Sequence, residues 1–289
     1  MAIKELFAQH KKTFSFEFFP PKDAAGEALL YQTINDLRAL HPSFVSVTYG
    51  AMGTNQDGTL FFVKKIKQEL GVEVMAHFTC VCADKERVRS FLAELEAAGI
   101  YNILALRGDI PDDVDRTQVI AGDFRYASDL IAAIREHSNA FTIMAAGYPE
   151  CHPEAPSLDA DIDALKRKID AGAQAVITQL FFMNDVFYRY CDRVRARGIT
   201  VPIIPGIMPV QSARQLEIFS SKCGGISIPP EIKNFFTAKE RTKEEALQFG
   251  IDFATAQCRD LLRHDVPGIH FYTLNRSRAT RLIFEQLNK

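Results

Sequence analysis

The chain has 289 residues, of which 47% are hydrophobic and 24% are charged, a composition that indicates a globular protein with a large core and excludes disorder. Its formal charge of −2 at pH 7 excludes a global positive field that would attract nucleic acid or an anionic membrane, so a small-molecule partner is favoured. No apolar run approaches the ~20 residues that span a bilayer, and the N-terminus has no signal-peptide pattern, so we expect a cytoplasmic protein.

Short β-rich runs alternate with longer amphipathic stretches along the whole chain. One such stretch, residues 84–98, carries apolar residues at helical spacing among charged ones. Glycines that would end a helix and lead into the next strand follow several of these stretches, at Gly71, Gly99, Gly172 and Gly198. The predicted strands are residues 14–19, 44–49, 73–80, 103–107, 141–146, 175–181, 201–205 and 270–274.

Eight strands that alternate with helices predict a (β/α)8 barrel of the TIM type, with residues 1–289 forming a single domain. The segment 206–243 is less regular and could contain extra helices before the last strand. A doubly wound open sheet is the competing architecture, but the chain lacks the glycine-rich phosphate loops that such sheets commonly carry. The six cysteines are too few and too irregular for a disulfide scaffold or a common zinc motif, so we expect reduced thiols and no metal site.

Glu17 lies near the end of the first predicted strand, within the segment Ser-Phe-Glu-Phe-Phe-Pro-Pro. The carboxyl ends of the strands carry the reactive groups of a βα barrel. A carboxyl group among aromatic side chains has a raised pKa, which makes Glu17 a candidate general acid. The alternative is that Glu17 faces solvent while the neighbouring phenylalanines point inward.

Other predicted strands also end in polar groups. The third strand contains His77, and the fourth ends in Arg107-Gly108-Asp109, which combines a bidentate donor, a flexible glycine and a carboxylate. The alternatives are a purely structural histidine and an ordinary turn with a surface ion pair.

Further polar groups lie in the second half of the chain. The sixth strand carries Gln179, whose amide must have a partner if it is buried. Asp161 and Lys168 fall about two turns apart on a predicted helix. The alternative for this helix is a solvated polar face.

Together these segments resemble the methylenetetrahydrofolate reductases, which are flavin-dependent βα-barrel enzymes. The matching segments cover nearly the whole chain. They are Ser-Phe-Glu-Phe-Phe-Pro-Pro at 15–21, Phe-Val-Ser-Val-Thr-Tyr-Gly-Ala at 44–51, Ala-Leu-Arg-Gly-Asp at 105–109, Tyr-Pro-Glu-Cys-His-Pro-Glu-Ala at 148–155, Leu-Lys-Arg-Lys-Ile-Asp-Ala-Gly-Ala at 165–173, Ile-Thr-Gln-Leu-Phe-Phe at 177–182, Pro-Gly-Ile-Met-Pro-Val at 205–210 and Phe-Tyr-Thr-Leu-Asn-Arg at 271–276.

The resemblance implies that the chain reduces 5,10-methylenetetrahydrofolate to 5-methyltetrahydrofolate, which supplies methyl groups for methionine synthesis. In this family NADH or NADPH reduces bound FAD and leaves, and the folate then takes the hydride in a ping-pong reaction; bacterial-type relatives suggest NADH. The family also implies a homo-oligomer, either a dimer or a tetramer. Longer members add a C-terminal regulatory domain that binds S-adenosylmethionine, and we expect neither that domain nor that inhibition here.

The resemblance assigns roles to both candidate carboxyl groups. Glu17 is the general acid that protonates the folate nitrogen whose departure opens the five-membered ring to an iminium cation. Asp109 stays ionised near flavin and pterin and stabilises the developing positive charge. The flavin contacts that the resemblance implies are Tyr49, Ala51, His77, Arg107, Gly108, Asp109, Ala127, Tyr148, His152, Ala155, Asp161, Arg167 and Lys168.

The resemblance also implies substrate contacts. Gln179 is similar in position to the amide that binds the pterin and the nicotinamide in turn, and Phe219 looks like the aromatic wall for the second ligand. Gln215 and Arg276 match folate-contacting positions, and Thr48 matches a nicotinamide-side contact.

The chain departs from the family pattern in two places. Ala164 stands where relatives can carry an asparagine that touches FAD, and residues 52–59 lack arginines that often follow the second strand. Two other functions stay open: a pterin-handling barrel enzyme without flavin, and a catalytically silent folate- or flavin-binding protein. Glu17 argues against the silent protein, because flavin binding alone needs no buried proton donor.

Overall fold

The computed structural model describes residues 3–9, 12–21, 23–49, 56–110, 122–222, 225–238 and 241–287. The strands of this described part are β1 (Thr13–Phe18), β2 (Phe44–Val47), β3 (Val74–Thr79), β4 (Asn102–Leu106), β5 (Thr142–Gly147), β6 (Ala175–Thr178), β7 (Ile203–Ile204), β8 (Gly206–Ile207) and β9 (Gly268–Tyr272). The helices are α1 (Ile3–Ala8), α2 (Ala24–Arg38), α3 (Gln56–Lys65, followed by a π-helical segment Ile66–Leu70), α4 (Lys85–Ala97), α5 (Ala127–His137), α6 (Leu158–Asp170), α7 (Asn184–Ala196), α8 (Ala213–Lys222), α9 (Pro230–Thr237), α10 (Lys243–Arg263) and α11 (Ser277–Leu287).

The strands form one parallel sheet in the order β7-β6-β5-β4-β3-β2-β1-β9-β8. The two ends of this order, β7 and β8, are separated in the chain by Pro205 alone, so the sheet curls into a nearly closed barrel. The predicted TIM-type barrel is therefore confirmed, and the extra helices expected within 206–243 are α8 and α9. No helix in the described segments is both long and apolar enough to cross a membrane.

The seventh strand, predicted over 201–205, is shorter than expected and is followed by a further short strand. Two short strands flank Pro205: β7 pairs with β6 and β8 pairs with β9. Proline has no N–H to donate to a ladder, while the Pro205 carbonyl accepts a hydrogen bond from the His270 N–H at 3.0 Å. The chain therefore changes its pairing partner at the proline.

Helix boundaries follow the signals in the sequence. The Asp84 side chain accepts a hydrogen bond from the Arg87 N–H and so caps α4. The apolar residues predicted for the inner face of α4 are buried. Gly99 follows α4 with φ of 67°, and the other three predicted helix-ending glycines also have positive φ, which glycine adopts without a steric penalty.

Successive side chains of each strand face opposite sides of the barrel wall. Phe16 and Phe18 of β1 are buried in the main core with residues of the outer helices. A second buried cluster fills the barrel interior and includes Phe44, Met75 and Leu104. Glu17, which lies between Phe16 and Phe18, consequently points into the interior.

The helix α1 closes the amino end of the barrel. Ile3 is fully buried in the interior cluster, and its N–H donates to Oδ1 of Asn102, the first residue of β4, at 3.1 Å. The Asn102 amide in turn donates to Glu73 Oε1 at 2.8 Å. The opposite, carboxyl end is therefore the end at which a ligand can reach the strands.

Candidate active site

Glu17 lies inside the barrel between two imidazole rings. Its side chain is 8% exposed, and its Oε2 lies 3.4 Å from Nε2 of His77 and 3.4 Å from Nε2 of His270. The His270 Nδ1 lies 2.8 Å from the Ser15 Oγ. The Thr273 hydroxyl donates to the Glu17 carbonyl oxygen at 2.6 Å, which fixes the backbone at this point.

These contacts rule out the alternative in which Glu17 faces solvent. They also show that the groups around its carboxyl differ from the aromatic side chains expected from the sequence. The neighbouring phenylalanines face the helices, so imidazoles rather than aromatic hydrocarbon surround the carboxyl group. Ser15 and His270 were missed in the sequence, although Ser15 stands two residues before Glu17 and therefore shares its face of the strand.

Burial determines the charge of His77. Desolvation lowers its pKa to about 4, with Glu17 acting in the opposite direction and His270 in the same direction. His77 is therefore a neutral imidazole near pH 7. Its ring lies beside Glu17, and its expected contact with flavin stays a prediction.

A cleft of about 300 Å³ opens beside the carboxyl ends of β4 and β5, between α5 and α6. Eight of the residues expected to contact flavin line this cleft: Arg107, Ala127, Tyr148, His152, Ala155, Asp161, Arg167 and Lys168. Ala164, the position of the missing asparagine, lines it too. The cleft therefore brings together residues that are spread over about sixty positions of the sequence, 107–168.

Some lining residues were missed in the sequence. Tyr126 and Ser128 stand at the start of α5, and Glu154 follows β5. A helix start that follows a barrel strand is a signal for an anion site, because its first N–H groups lack partners within the helix. The start of α5 could therefore have predicted Tyr126 and Ser128 from the sequence, and the matching segment 148–155 could have predicted Glu154.

The floor of the cleft carries a cation and an anion that are poorly hydrated. Burial lowers the pKa of Lys168 to about 8, which Asp161 opposes and Arg167 reinforces. Burial also raises the pKa of Asp161 above its usual range, although the His152 N–H and Lys168 act to lower it. Lys168 Nζ donates to the Ala146 carbonyl at 2.6 Å. Asp161 is buried and Lys168 is half-buried, so these two residues do not lie on a fully solvated helix face.

His152 has a defined tautomer. Its Nδ1 accepts a hydrogen bond from the Glu154 N–H at 3.1 Å, so the neutral ring carries its proton on Nε2. Desolvation lowers the pKa of His152, which keeps the ring neutral. The ring packs edge to face on Tyr148 at 4.7 Å between centroids, and burial raises the pKa of Tyr148 to about 12. The cleft wall thus offers an N–H and a phenol without charge.

The segment that follows β4 is held tightly. Arg107 forms an ion pair with Glu154 across the cleft, and its Nε donates to the Gly108 carbonyl at 3.1 Å. Gly108 has φ of 88°, and a Cβ there would lie 2.8 Å from Val81 Cγ1. Asp109 follows as an exposed carboxylate within electrostatic range of Arg107 and Tyr148. Glu17 and Asp109 thus lie at the same end of the barrel.

Two residues expected on the flavin and nicotinamide side lie away from the cleft lining. Tyr49 is buried against Phe78 and Phe91, and its hydroxyl accepts from Arg87 at 3.2 Å. Thr48 is half-buried, and its carbonyl accepts from Thr59 at 2.9 Å. Ala51, another expected contact, lies outside the described residues.

The expected substrate residues occupy loops and a helix on the carboxyl side. Gln179 directly follows β6, and its Oε1 accepts from the Leu180 N–H at 2.8 Å. Phe219 on α8 is buried in an apolar cluster and lies 6.1 Å from the Phe182 ring. One turn earlier, Gln215 Oε1 accepts from a backbone N–H at 2.6 Å. Arg276 is exposed after β9 and lines a separate groove.

The chain is similar to known proteins over nearly its whole length. The family model for methylenetetrahydrofolate reductase matches residues 2–288. The 5,10-methylenetetrahydrofolate reductase of Pectobacterium carotovorum is 39% identical over 279 residues, covering 96% of this chain and 91% of that protein. The Escherichia coli enzyme of the same name is 39% identical, with coverages of 94% and 90%. The Arabidopsis thaliana protein "Methylenetetrahydrofolate reductase (NADH) 1" is 36% identical over 96% of this chain, which spans 48% of that longer protein.

A solved structure shows the same fold at low sequence identity. It belongs to an uncharacterized Clostridium thermocellum protein that binds two copies of 5-methyl-5,6,7,8-tetrahydrofolic acid, with a TM-score of 0.68, 14% identity, and coverage of 99% of this chain and 96% of that one. This likeness shows the fold alone. The match over nearly the full sequence and the identity to the bacterial enzymes show more: this chain belongs to the methylenetetrahydrofolate reductase family.

Proposed function

We propose that the chain reduces 5,10-methylenetetrahydrofolate to 5-methyltetrahydrofolate by a ping-pong reaction, with FAD bound in the cleft and NADH or NADPH as electron donor. The observation that carries this proposal is a buried carboxyl group, Glu17, at the same end of the barrel as a cleft lined with cations. Family membership supplies the substrate class.

The chemistry of the cleft fits FAD. Arg107, Arg167 and Lys168 line it together with the start of α5, and these groups suit the pyrophosphate. Lys168 has a lowered pKa because it is buried without an anionic partner strong enough to restore it, and a bound anion would supply one. Asp161 suits a sugar hydroxyl. When bound, FAD would accept a hydride from the nicotinamide and pass it to the folate.

Glu17 would supply the proton that the folate half-reaction requires. The proton goes to the folate nitrogen, the bond between that nitrogen and the methylene carbon breaks, and the hydride then converts this carbon to a methyl group. Removal of a general acid costs about 10²- to 10⁴-fold in rate. Asp109, as a carboxylate at the same end of the barrel, would stabilise the positive charge that develops on the substrate.

Gln179 would bind the two substrates in turn. Its Oε1 is engaged by Leu180 N–H, while its amide nitrogen makes no hydrogen bond with the described residues. An amide offers both a donor and an acceptor, so a modest rotation lets one side chain serve the pterin and the nicotinamide. Phe219 would then form an apolar wall beside these ligands.

NADH is the donor to test first, because the Arabidopsis relative carries NADH in its name. The test uses the purified chain reconstituted with FAD. We expect a yellow protein whose visible flavin band is bleached by anaerobic NADH and restored by 5,10-methylenetetrahydrofolate, with 5-methyltetrahydrofolate as product. A protein that takes up no FAD favours a pterin enzyme without flavin. A protein that binds FAD but yields no product in either half-reaction contradicts the proposal.

A further inference from the structure

The carboxyl group of Glu17 has two different sides. Both imidazoles contact the same oxygen, Oε2, at 3.4 Å from His77 Nε2 and 3.4 Å from His270 Nε2. The other oxygen, Oε1, makes no hydrogen bond with the described residues. One oxygen is therefore held by the protein and the other is available to a substrate.

His270 is linked onward from Glu17. Its Nε2 bonds to Glu17 and its Nδ1 lies 2.8 Å from the Ser15 Oγ, so both ring nitrogens have a partner. The ring is fully buried, stacks on Phe44 with 6.2 Å between centroids and meets Tyr272 edge-on at 5.3 Å. These contacts hold the imidazole in one orientation. His77 differs, because its Nε2 lies near Glu17 but makes no hydrogen bond with the described residues.

The number of available protons limits which of Ser15, His270 and Glu17 can donate each hydrogen bond. If the His270 ring is neutral it carries a single N–H, and only one of its two nitrogens donates. If the acid proton of Glu17 sits on Oε1, then Oε2 is an acceptor and His270 Nε2 must carry the N–H. The Nδ1 then accepts, and Ser15 is the donor. The order of donation is Ser15 to His270 to Glu17.

This order of hydrogen-bond donation suits Glu17, because an acid becomes an anion when it gives up its proton. When the proton leaves Oε1 for the substrate nitrogen, the carboxylate left behind still accepts the His270 N–H at Oε2. A hydrogen bond to a charged group is stronger than one between neutral groups, so the interaction strengthens as the proton leaves. Among the described residues, no group of three His, Cys, Asp or Glu side chains could hold a metal ion.

We propose that His270, held by Ser15 in the tautomer that carries its proton on Nε2, is the positioning residue that prepares Glu17 to donate its proton. The proposal rests on the proposed function, in which Glu17 is the acid. One proton passes from Oε1 to the substrate in each turnover, none leaves His270, and solvent restores the proton on Glu17 afterwards. Ser15 acts through His270 alone.

The pH dependence of folate reduction tests this role. Among the described residues, the titratable groups that contact Glu17 are His77 from β3 and His270 from β9. Tyr272 of β9 packs against His270, and its hydroxyl donates to the Thr178 carbonyl at 2.6 Å. A donor to the carboxylate lowers the pKa of an acid. Loss of that donor therefore moves the alkaline limit of the folate half-reaction to higher pH.

The experiment measures both half-reactions of the FAD-loaded protein across pH by anaerobic stopped flow. We expect His270→Leu to slow folate reduction by roughly tenfold or more and to shift its alkaline limb upward, with flavin reduction by NADH within about twofold of wild type. His270→Gln keeps an N–H donor and should recover part of the rate. Ser15→Ala keeps the imidazole and should shift the limb in the same direction by less.

Ser46→Ala is the matched control. Ser46 pairs in register with Glu17 on the neighbouring strand, and its buried Oγ has no hydrogen-bond partner among the residues that the structure describes. The same change of side chain there should leave the pH profile unchanged. Ser15→Ala also guards against a His270→Leu variant that does not fold.

Failure of this inference is distinguishable from failure of the proposed function. If wild-type protein reduces the folate and both Ser15→Ala and His270→Gln keep its rate and alkaline limb, the positioning role alone is overturned. Equal slowing of both half-reactions without a shift in pH also overturns it. If wild-type protein accepts electrons from NADH and never reduces the folate, the proposed function fails first.

Discussion

Single residues show how this barrel holds ionisable groups in poorly hydrated places. Glu17 is buried with two imidazoles on one of its oxygens, and Lys168 is held by a carbonyl oxygen in the floor of the cleft. Burial of an ionisable group is costly unless a partner compensates for it. Both residues are therefore placed where a ligand can complete their surroundings.

Glu17→Gln tests the role of Glu17 as the general acid. The amide keeps the shape of the side chain but has no acid proton, so folate reduction should fall by on the order of 10²-fold or more. Flavin reduction by NADH, which needs no proton from Glu17, should stay near wild type. Separate stopped-flow measurements of the two half-reactions check this, with Glu96→Gln, at a half-exposed carboxyl group that pairs with His137, as control. Equal losses in both half-reactions would remove Glu17 from the acid role.

The second prediction concerns Lys168 and pH. Because burial lowers its pKa to about 8, the amine of the FAD-free protein is mostly neutral above that pH, and binding of an anionic pyrophosphate must then take up a proton. FAD affinity should therefore fall as pH rises from roughly 7 to 9. Lys168→Met should weaken binding by roughly tenfold or more near neutral pH and lose this pH dependence.

Flavin fluorescence titrations measure these affinities. Lys166→Met is the matched control, because Lys166 lies on the same helix and pairs with Asp170 at the surface. Its affinity for FAD should follow the wild-type pH curve. A Lys168→Met variant with that same curve would place the pyrophosphate elsewhere.

At the scale of elements, the turn after β4 orients the polar groups on both sides of Gly108. Gly108 combines φ of 88° with close packing, since an added Cβ would lie 2.9 Å from Thr79 Cβ and 2.8 Å from Val81 Cγ1. Arg107 and Asp109 flank it and can keep their positions only if this backbone path is kept. A glycine is therefore required at position 108 for two reasons: its positive φ, and its close packing against Thr79 and Val81.

Gly108→Ala should reduce the free energy of unfolding by about 2 kcal/mol or more, because left-handed strain and overpacking both contribute. Gly198→Ala is the control: it has φ of 74° with no described atom within 4 Å of the added Cβ, so only strain of about 1 kcal/mol applies. Urea denaturation of the two variants measures the difference. Equal losses would show that the contacts with Thr79 and Val81 relax freely.

At the scale of the whole molecule, the two ends of the barrel have different tasks. The amino end is closed by α1 through Ile3 and the Asn102 side chain, whereas Glu17 and the cleft lie at the carboxyl end. In barrels of this type the amino end contributes stability and the carboxyl end carries the chemistry. Substitutions at the two ends should therefore change different properties.

Asn102→Ala should lower the free energy of unfolding by about 1–3 kcal/mol, because it removes the acceptor of the Ile3 N–H and the hydrogen bond from Asn102 to Glu73 Oε1. The folded variant should keep the wild-type rates of both half-reactions. Thermal unfolding together with stopped-flow kinetics below the transition checks this separation. A large loss of rate in the folded variant would contradict the division between the ends.

The sequence by itself determined the fold class, most of the strands, the helix-ending glycines and the family, because periodicity, glycine punctuation and segment identity are local properties of the chain. Eight of the expected flavin contacts also lie together in the cleft. Only the tertiary structure decided the partners of Glu17. Its imidazole neighbours lie 60 and 253 positions away in the chain, at His77 and His270, and barrel closure brings them to one carboxyl oxygen. The split at Pro205 is likewise tertiary, since it depends on which strand each neighbour of the proline pairs with.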